Sequence, residues 1–260
     1  MIALLKTAER TNNSSFINNY VFQRHVFAYK HILVNRLTGL NILELGCGEG
    51  YGMEMIAPYA QQYLAVDKKR PADHVFADNA SFLQCNLPDL SGIADNSFDT
   101  VICFQVIEHI KNDGGLLDEI KRVLKPGGKL FMTTPNKRTS LTRNPFHERE
   151  YLPHEMCALV ASRFDHYTVQ GIHGNQMVMD YYHENKKSVE SFTKYDIFNL
   201  QHRLPAFMLR VPYTLLNNLN RLLLLKKIED TTANIRFNDF HIQELQEDCL
   251  DYFVTACKSL

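Results

Sequence analysis

The sequence predicts an α/β fold in which a mostly parallel sheet is covered by helices. Three observations carry this. Apolar runs of strand length alternate with helical patterns from Asn41 to Gly171, the rhythm of a chain that passes from one parallel strand to the next through a helix. One run, Phe98–Phe104, is nearly all apolar, as a strand buried on both faces must be. The first run, Ile42–Leu45, leads into the glycine-rich stretch NILELGCGEGYG (Asn41–Gly52), and a strand that ends in such a loop and opens a helix is a nucleotide-type site.

Residues 1–15 are polar and Asn/Ser-rich towards their end and are expected to fray. Apolar and aromatic residues then recur at helical spacing from Phe16 to Leu37, predicting one or two helices that Gly39 stops. Strands are expected at Ile42–Leu45, Tyr63–Val66, Ser81–Cys85, Phe98–Phe104, Lys129–Thr134, Phe164–Gly171 and Asp251–Cys257. Helices are expected at Tyr51–Tyr59, at Gly115–Leu124 before Pro126-Gly127-Gly128, and at Leu152–Ser162. Residues 172–238 break the rhythm with Asn/Lys-rich loops and an apolar helical stretch, Ala206–Lys227. The organisation predicted is one domain: a helical cap (1–39), a ligand-binding core (40–171), an insertion or lid (172–238) and a closing strand (239–260).

Composition narrows the function classes. A chain of 260 residues with 45% apolar content can bury a sizeable core, and a net charge of -1 leaves no global basic field for nucleic acid. The six cysteines (47, 85, 103, 157, 249, 257) form no CxxC and no close Cys/His ligand spacing, so they read as small core hydrophobes. With no signal-peptide pattern at the start, a reducing, cytoplasmic setting is expected. No uninterrupted apolar run approaches the ~20 residues of a membrane span.

The glycine loop discriminates among ligands. A dinucleotide fingerprint wants G-x-G-x-x-G; here Gly46, Gly48 and Gly50 alternate, and Tyr51 stands where the third glycine would be. The G-K-[ST] of a phosphate loop is missing too. Asp67 ends the second strand ~20 residues after the loop, where a carboxylate can accept both hydroxyls of a ribose.

ELGCGEG, AVDKK, SFDTVICFQVIEHI and EIKRVLKPGGKLFMTTPN, in this order over residues 41–136, resemble class I S-adenosylmethionine-dependent methyltransferases of the small-molecule type, which include quinone-biosynthesis O-methyltransferases. NPFHEREYLPHE, GIHGN and DYFVTACK are more loosely similar to methyltransferases linked to glycans or lipid-linked sugars. The resemblance implies a Rossmann-like, seven-stranded, mostly parallel sheet and S-adenosylmethionine as cofactor. It also implies that Glu44, Gly46, Cys47, Gly48 and Gly50 hold the amino and carboxylate ends of the methionine moiety. Asp67 would bind the ribose hydroxyls, Lys68 would flank the adenine, Asn86 and the N–H of Leu87 would meet the adenine, and Gln105 would lie under the sulfonium. Asn86 replaces an Asp common at its position, which keeps an acceptor and removes the charge. The sulfonium suits aromatic faces; Phe104, Tyr20 and Tyr51 are candidates, and core packing is the competing reading of each.

A hydroxyl acceptor needs a base near its proton. His109, after the fourth strand, and His147, in the loop after the fifth, are the candidates, with a helix-capping role open for His109 and a solvated loop histidine for His147. Glu148, Arg149 and Glu150 read first as a salt-bridged loop, with Arg149 a possible anchor for an anionic substrate. Quinone-pathway relatives carry E-x-x-E-H where this chain has Gln105-x-x-Glu108-His109; the neutral amide weakens a hard-cation site, so no metal is expected. The D/N-P-P-Y motif of amino-group nucleic-acid methyltransferases is missing, and nucleic acid is not the expected partner. The partner expected is a small-molecule, glycan or lipid-linked acceptor. The 172–238 segment reads as a lid packed on the core or on a second subunit of a homodimer, or as an amphipathic surface for peripheral membrane contact. Two other readings compete: a non-catalytic S-adenosylmethionine-binding protein, and a nicotinamide-dependent oxidoreductase, against which the Tyr51 break counts.

Overall fold

The computed structural model describes residues 18–34, 37–72, 76–196, 199–227 and 229–260, without the side chains of His202 and of residues 225–227, 229 and 230. The expected fraying of 1–15 lies outside the described residues. The chain forms two compact units. Of the described residues, the larger comprises those within 26–139, 148–173 and 242–260, and the smaller those within 18–25, 140–147 and 174–241.

The larger unit is built on a sheet. After α1 (Asn19–Leu33), which enters it from Val26, come β1 (Asn41–Leu45), α2 (Tyr51–Ile56) and β2 (Gln62–Asp67). β3 (Ala80–Gln84), β4 (Phe98–Phe104), α3 (Asp113–Val123) and β5 (Leu124–Pro135) follow, and then α4 (Pro153–Ala161) and β6 (His166–Gly174). β7 (Phe240–Glu244) and β8 (Asp251–Cys257) complete an eight-stranded sheet of order β3-β2-β1-β4-β5-β8-β6-β7. β1 pairs in parallel with β2 and β4, as do β2 with β3 and β4 with β5, whereas β8 runs antiparallel between β5 and β6. The mostly parallel expectation holds, and the strand count rises from seven to eight. The extra strand is β7, whose FHIQE has too little apolar run to announce itself.

The elements form for local reasons. α3 starts where the Asn112 side chain accepts the N–H of Gly115 at 3.0 Å, an N-cap. It buries Leu116, Leu117, Ile120 and Val123 on one face, the helical repeat of an apolar stripe. Leu43, Leu45, Val101, Cys103, Leu130 and Val254 are fully buried against that stripe. Each such side chain contributes about 1.5–3 kcal/mol by leaving water.

The smaller unit is helical: α5 (Gln176–Thr193), α6 (Leu200–Arg203), α7 (Ala206–Lys227) and α8 (Glu229–Asn234). The Asn/Lys-rich loops expected after 172 are in fact the 18-residue α5. Asn175 caps it by accepting from Val178 N–H at 3.1 Å. Only Val178 and Tyr181 are buried along it, so its polar face outweighs its pattern. Tyr20 stacks on Tyr181 at 4.7 Å between centroids, and Asn19 donates to the Thr232 and Ile235 carbonyls at 2.8 and 2.9 Å.

Candidate active site

The parallel strands switch direction of winding between β1 and β4: β2 and β3 lie to one side, β5 to the other. The crevice at the carboxyl ends of strands on either side of such a point receives ligands. The loop after β1 and the residue after β4 flank it.

The loop is held by its backbone. The N–H groups of Gly46 and Cys47 both donate to Val66 O, at 2.7 and 3.1 Å. Gly46, Gly48 and Gly50 all have positive φ, 72°, 55° and 89°, which is the steric reason for the alternation. A Cβ on Gly46 would meet Val106 Cγ2 at 2.4 Å, whereas one on Gly48 would meet nothing within 4 Å. Gly48 thus leaves open space beside its backbone. Its N–H donates to Asp67 Oδ2 at 2.9 Å, and Lys69 N–H donates to Oδ1 at 3.1 Å. Asp67 therefore stands beside the glycine turn as the spacing predicts, with both oxygens accepting backbone N–H groups.

Glu44, 1% exposed, is the buried carboxyl of the site. The Tyr29 hydroxyl donates to its Oε1 at 2.5 Å, while Oε2 is buried with no hydrogen-bond partner. The buried Tyr63 hydroxyl faces the same carboxylate without reaching hydrogen-bond geometry. Burial pushes the Glu44 carboxyl up to about 7; the tyrosine hydroxyls pull it down and the charge of Asp67 pushes it further up. A buried oxygen without a partner is costly, and a cationic ligand would satisfy it. Gly52 makes this pair possible: a Cβ there would lie 2.4 Å from both Glu44 Oε1 and the Tyr29 ring.

Around this lie aromatic rings. Tyr29 meets Phe104 edge-on at 4.9 Å and Tyr51 at 5.6 Å. Phe104 is 7% exposed and Tyr51 half-buried. Tyr20, the third aromatic expected near the cofactor, belongs to the helical unit, packed on Tyr181 and Phe240. Tyr29 holds the position beside Glu44, and the sequence reading missed it. A tyrosine on an apolar helical stripe reads as core, and no spacing says that its hydroxyl reaches a carboxylate.

Gln105 follows β4 with φ 55°, an uncommon conformation for a side chain of its length. Its N–H donates to Thr133 O at 2.8 Å, and its amide donates to Asp251 Oδ2 at 3.1 Å and Thr133 Oγ1 at 3.3 Å. Asn86 and Lys68 are exposed and Leu87 half-buried, just past β3 and β2. Leu87 is joined to Pro88 by a cis peptide bond.

His109 ends a 3-10 turn (Ile107–His109), half-buried, with its N–H on Val106 O at 2.9 Å. His147 lies in the 140–147 segment of the helical unit. There Asn144 Oδ1 accepts Phe146 N–H at 3.0 Å, which turns the Asn144 amide nitrogen onto His147 Nε2 at 2.8 Å. Nε2 then accepts, and the neutral ring carries its proton on Nδ1. Arg149 is engaged in ion pairs with Asp113 at 3.4 Å and Glu155 at 3.3 Å and lies over the Tyr151 ring, which agrees with the salt-bridged loop reading. Asn136, of the Thr134-Pro135-Asn136 run, is fully buried. Its amide donates to the Glu247 and Cys249 carbonyls, both at 2.8 Å, and its oxygen accepts from Tyr252 at 2.6 Å. It serves structure.

Comparison with known proteins agrees with this geometry. Residues 43–132 match a family model described as a methyltransferase domain. Over 165 residues the chain is 40% identical to a probable S-adenosylmethionine-dependent methyltransferase of Mycobacterium tuberculosis, which covers 60% of this chain and 60% of that protein. Residues 43–132 of this chain carry the methyltransferase domain. The chain spans about 60% of the length of the curated relatives it matches first. A ubiquinone biosynthesis O-methyltransferase of Xanthomonas oryzae pv. oryzae is 31% identical over 108 residues, 39% of this chain and 45% of that one. A methyltransferase structure from Archaeoglobus fulgidus superposes with a TM-score of 0.55 at 12% identity, over 94% of this chain and 98% of that chain, a likeness of fold. The matched region holds every residue named above for the cofactor, from Glu44 to Gln105.

Proposed function

We propose that this protein transfers the methyl group of S-adenosylmethionine to a hydroxyl on a small molecule, a glycan or a lipid-linked acceptor. The observation that carries the reading is the pair of carboxylates at the glycine loop. Glu44 offers a buried oxygen without a partner to a cation, and Asp67 stands beside Gly48 with acceptors for a ribose. S-adenosylmethionine has an ammonium, a ribose and no pyrophosphate, which fits Glu44, Asp67 and the Tyr51 that replaces a third close-approach glycine. The O-methyltransferase named among the relatives supports a hydroxyl acceptor.

When bound, the cofactor supplies an activated methyl group on a good leaving group. This chain's residues bind and align. Glu44 would hold the ammonium, the Gly46–Gly50 backbone the carboxylate, and Asp67 the ribose. Phe104 and Tyr51 present ring faces and edges in the same neighbourhood. A base accepts the acceptor's proton, and His109 is the first to test, because the Nε2 lone pair of His147 is committed to Asn144. A cytoplasmic setting is consistent with six unpaired cysteines.

Calorimetry with S-adenosylmethionine and with NAD tests the cofactor: binding of the first alone is expected, and binding of NAD alone would make the oxidoreductase the better reading. A methyl-release assay on hydroxylated acceptor panels tests turnover. His109→Ala is expected to lower turnover with cofactor affinity intact. Binding without turnover on any acceptor favours a non-catalytic binder.

A further inference from the structure

α7 is built inside out. Eight large apolar side chains between Phe207 and Leu223 are exposed on it, among them Phe207 (71%), Val211 (66%), Leu215 (52%) and Leu219 (46%). At about 100° per residue they share one half of the helix circumference. The opposite half, which packs into the helical unit, buries Leu224 (2%) together with several polar groups. Thr214 is 7% exposed and donates to Arg210 O at 2.7 Å. Asn220 is 4% exposed, donates to Asn185 at 2.8 Å and accepts from Ser188 at 2.5 Å. Arg221 points the same way and donates to Asn18. Water-facing helices have the reverse pattern, and an exposed apolar face of this size marks an interaction surface.

The charge around the face says what it meets. No acidic residue lies between Asp196 and Glu229 in the sequence, while Arg203, Arg210, Lys226 and Lys227 do, besides the inward-pointing Arg221. Arg203 and Arg210 are exposed, and Arg210 lies 5.5 Å from the Phe146 ring. Two copies of this face joined by a two-fold axis would oppose like charges. An apolar stripe rimmed by cations is the design of a helix lying in the surface of an anionic bilayer. Among the described residues no helix is long and apolar enough to cross a membrane, so the contact is peripheral.

We propose that the exposed face of α7 docks this protein onto an anionic lipid bilayer, with its apolar half in the acyl boundary and its basic rim at the headgroups. The inference does not depend on the proposed reaction.

Co-sedimentation of the full chain with phosphatidylcholine vesicles, with and without phosphatidylglycerol, tests it. The wild type is expected to partition about tenfold or more in favour of the anionic vesicles and to release as salt rises. The triple variant Val211→Asn, Leu215→Asn and Leu219→Asn changes only exposed positions. It is expected to lose that binding while keeping its circular dichroism and its affinity for S-adenosylmethionine. Arg203→Gln with Arg210→Gln is expected to weaken binding to anionic vesicles and leave the neutral baseline unchanged. Failure of the wild type to bind anionic vesicles overturns the proposal, as does equal binding by the triple variant. So does a wild-type dimer in sedimentation velocity that the triple variant converts to monomer, because the face then belongs to a second copy.

Discussion

Burial keeps Glu44 neutral to about pH 7, and its titration should therefore report cofactor binding. Its folded value lies above the ordinary 4.5 of a glutamate, so the fold favours the neutral form. The stability this group contributes is complete below about pH 4.5 and is lost as pH rises through about 7. A cation at Oε2 reverses that preference, so affinity for S-adenosylmethionine should rise across the same window. Titration calorimetry at about pH 6 and about pH 8 checks this. Glu44→Gln should abolish the slope, and a slope that persists in Glu44→Gln assigns the proton elsewhere. Tyr29→Phe removes a bond that pulls Glu44 down and should move the midpoint to higher pH. Asp67→Ala should weaken cofactor binding by ~1–3 kcal/mol, the scale of a hydrogen bond to a charged group; unchanged affinity would sink its assignment. Asp67 and the glycines are legible in the sequence because their chemistry depends on distance along one strand-loop-helix unit. Tyr29 is not, because its partner is fifteen residues away on a different element.

At the scale of elements, α2 and the loop before it resist substitution for different physical reasons. Gly52→Ala would drive a Cβ into Tyr29 and Glu44 at 2.4 Å. Overpacking of this kind costs about 1–3 kcal/mol, and here it should also displace the buried carboxylate and weaken cofactor binding. Gly48→Ala meets no atom within 4 Å but has φ 55°. Its folding cost is the left-handed strain of about 1–2 kcal/mol, and calorimetry should show the ligand obstructed as well. Chemical denaturation separates the two costs. Asn175→Ala removes the cap of α5 and should cost about 1 kcal/mol without touching cofactor affinity. α5 and β7 are the elements that the sequence hides. Most of α5 faces solvent, so it shows almost no apolar stripe, and β7 is five residues with its buried positions at one end.

For the whole molecule, all the residues assigned to the cofactor fall in the sheet-based unit. At a ligand concentration about a hundredfold above Kd, binding contributes about 2.7 kcal/mol to the stability of the unit that binds. Scanning calorimetry should show that unit's transition rise by several degrees with S-adenosylmethionine and not with NAD. Hydrogen exchange should slow at Gly46–Gly52 and Asp67–Lys69 and stay unchanged along α5.

The sequence by itself determined the parallel half of the sheet, the glycine turn, the carboxylate after β2 and the methyltransferase family that these motifs resemble. Each is written in contiguous residues whose spacing is set by strand and helix geometry. Only the tertiary structure decided that β8 inserts antiparallel between β5 and β6 and that Tyr29 and Gly52 frame Glu44. It also decided that α7 turns its apolar half outward, which periodicity cannot tell, since the same stripe has the same spacing whichever side of the helix is covered. What separates these two groups is contact order: the first rests on neighbours along the chain, the second on which distant surfaces exclude water from one another.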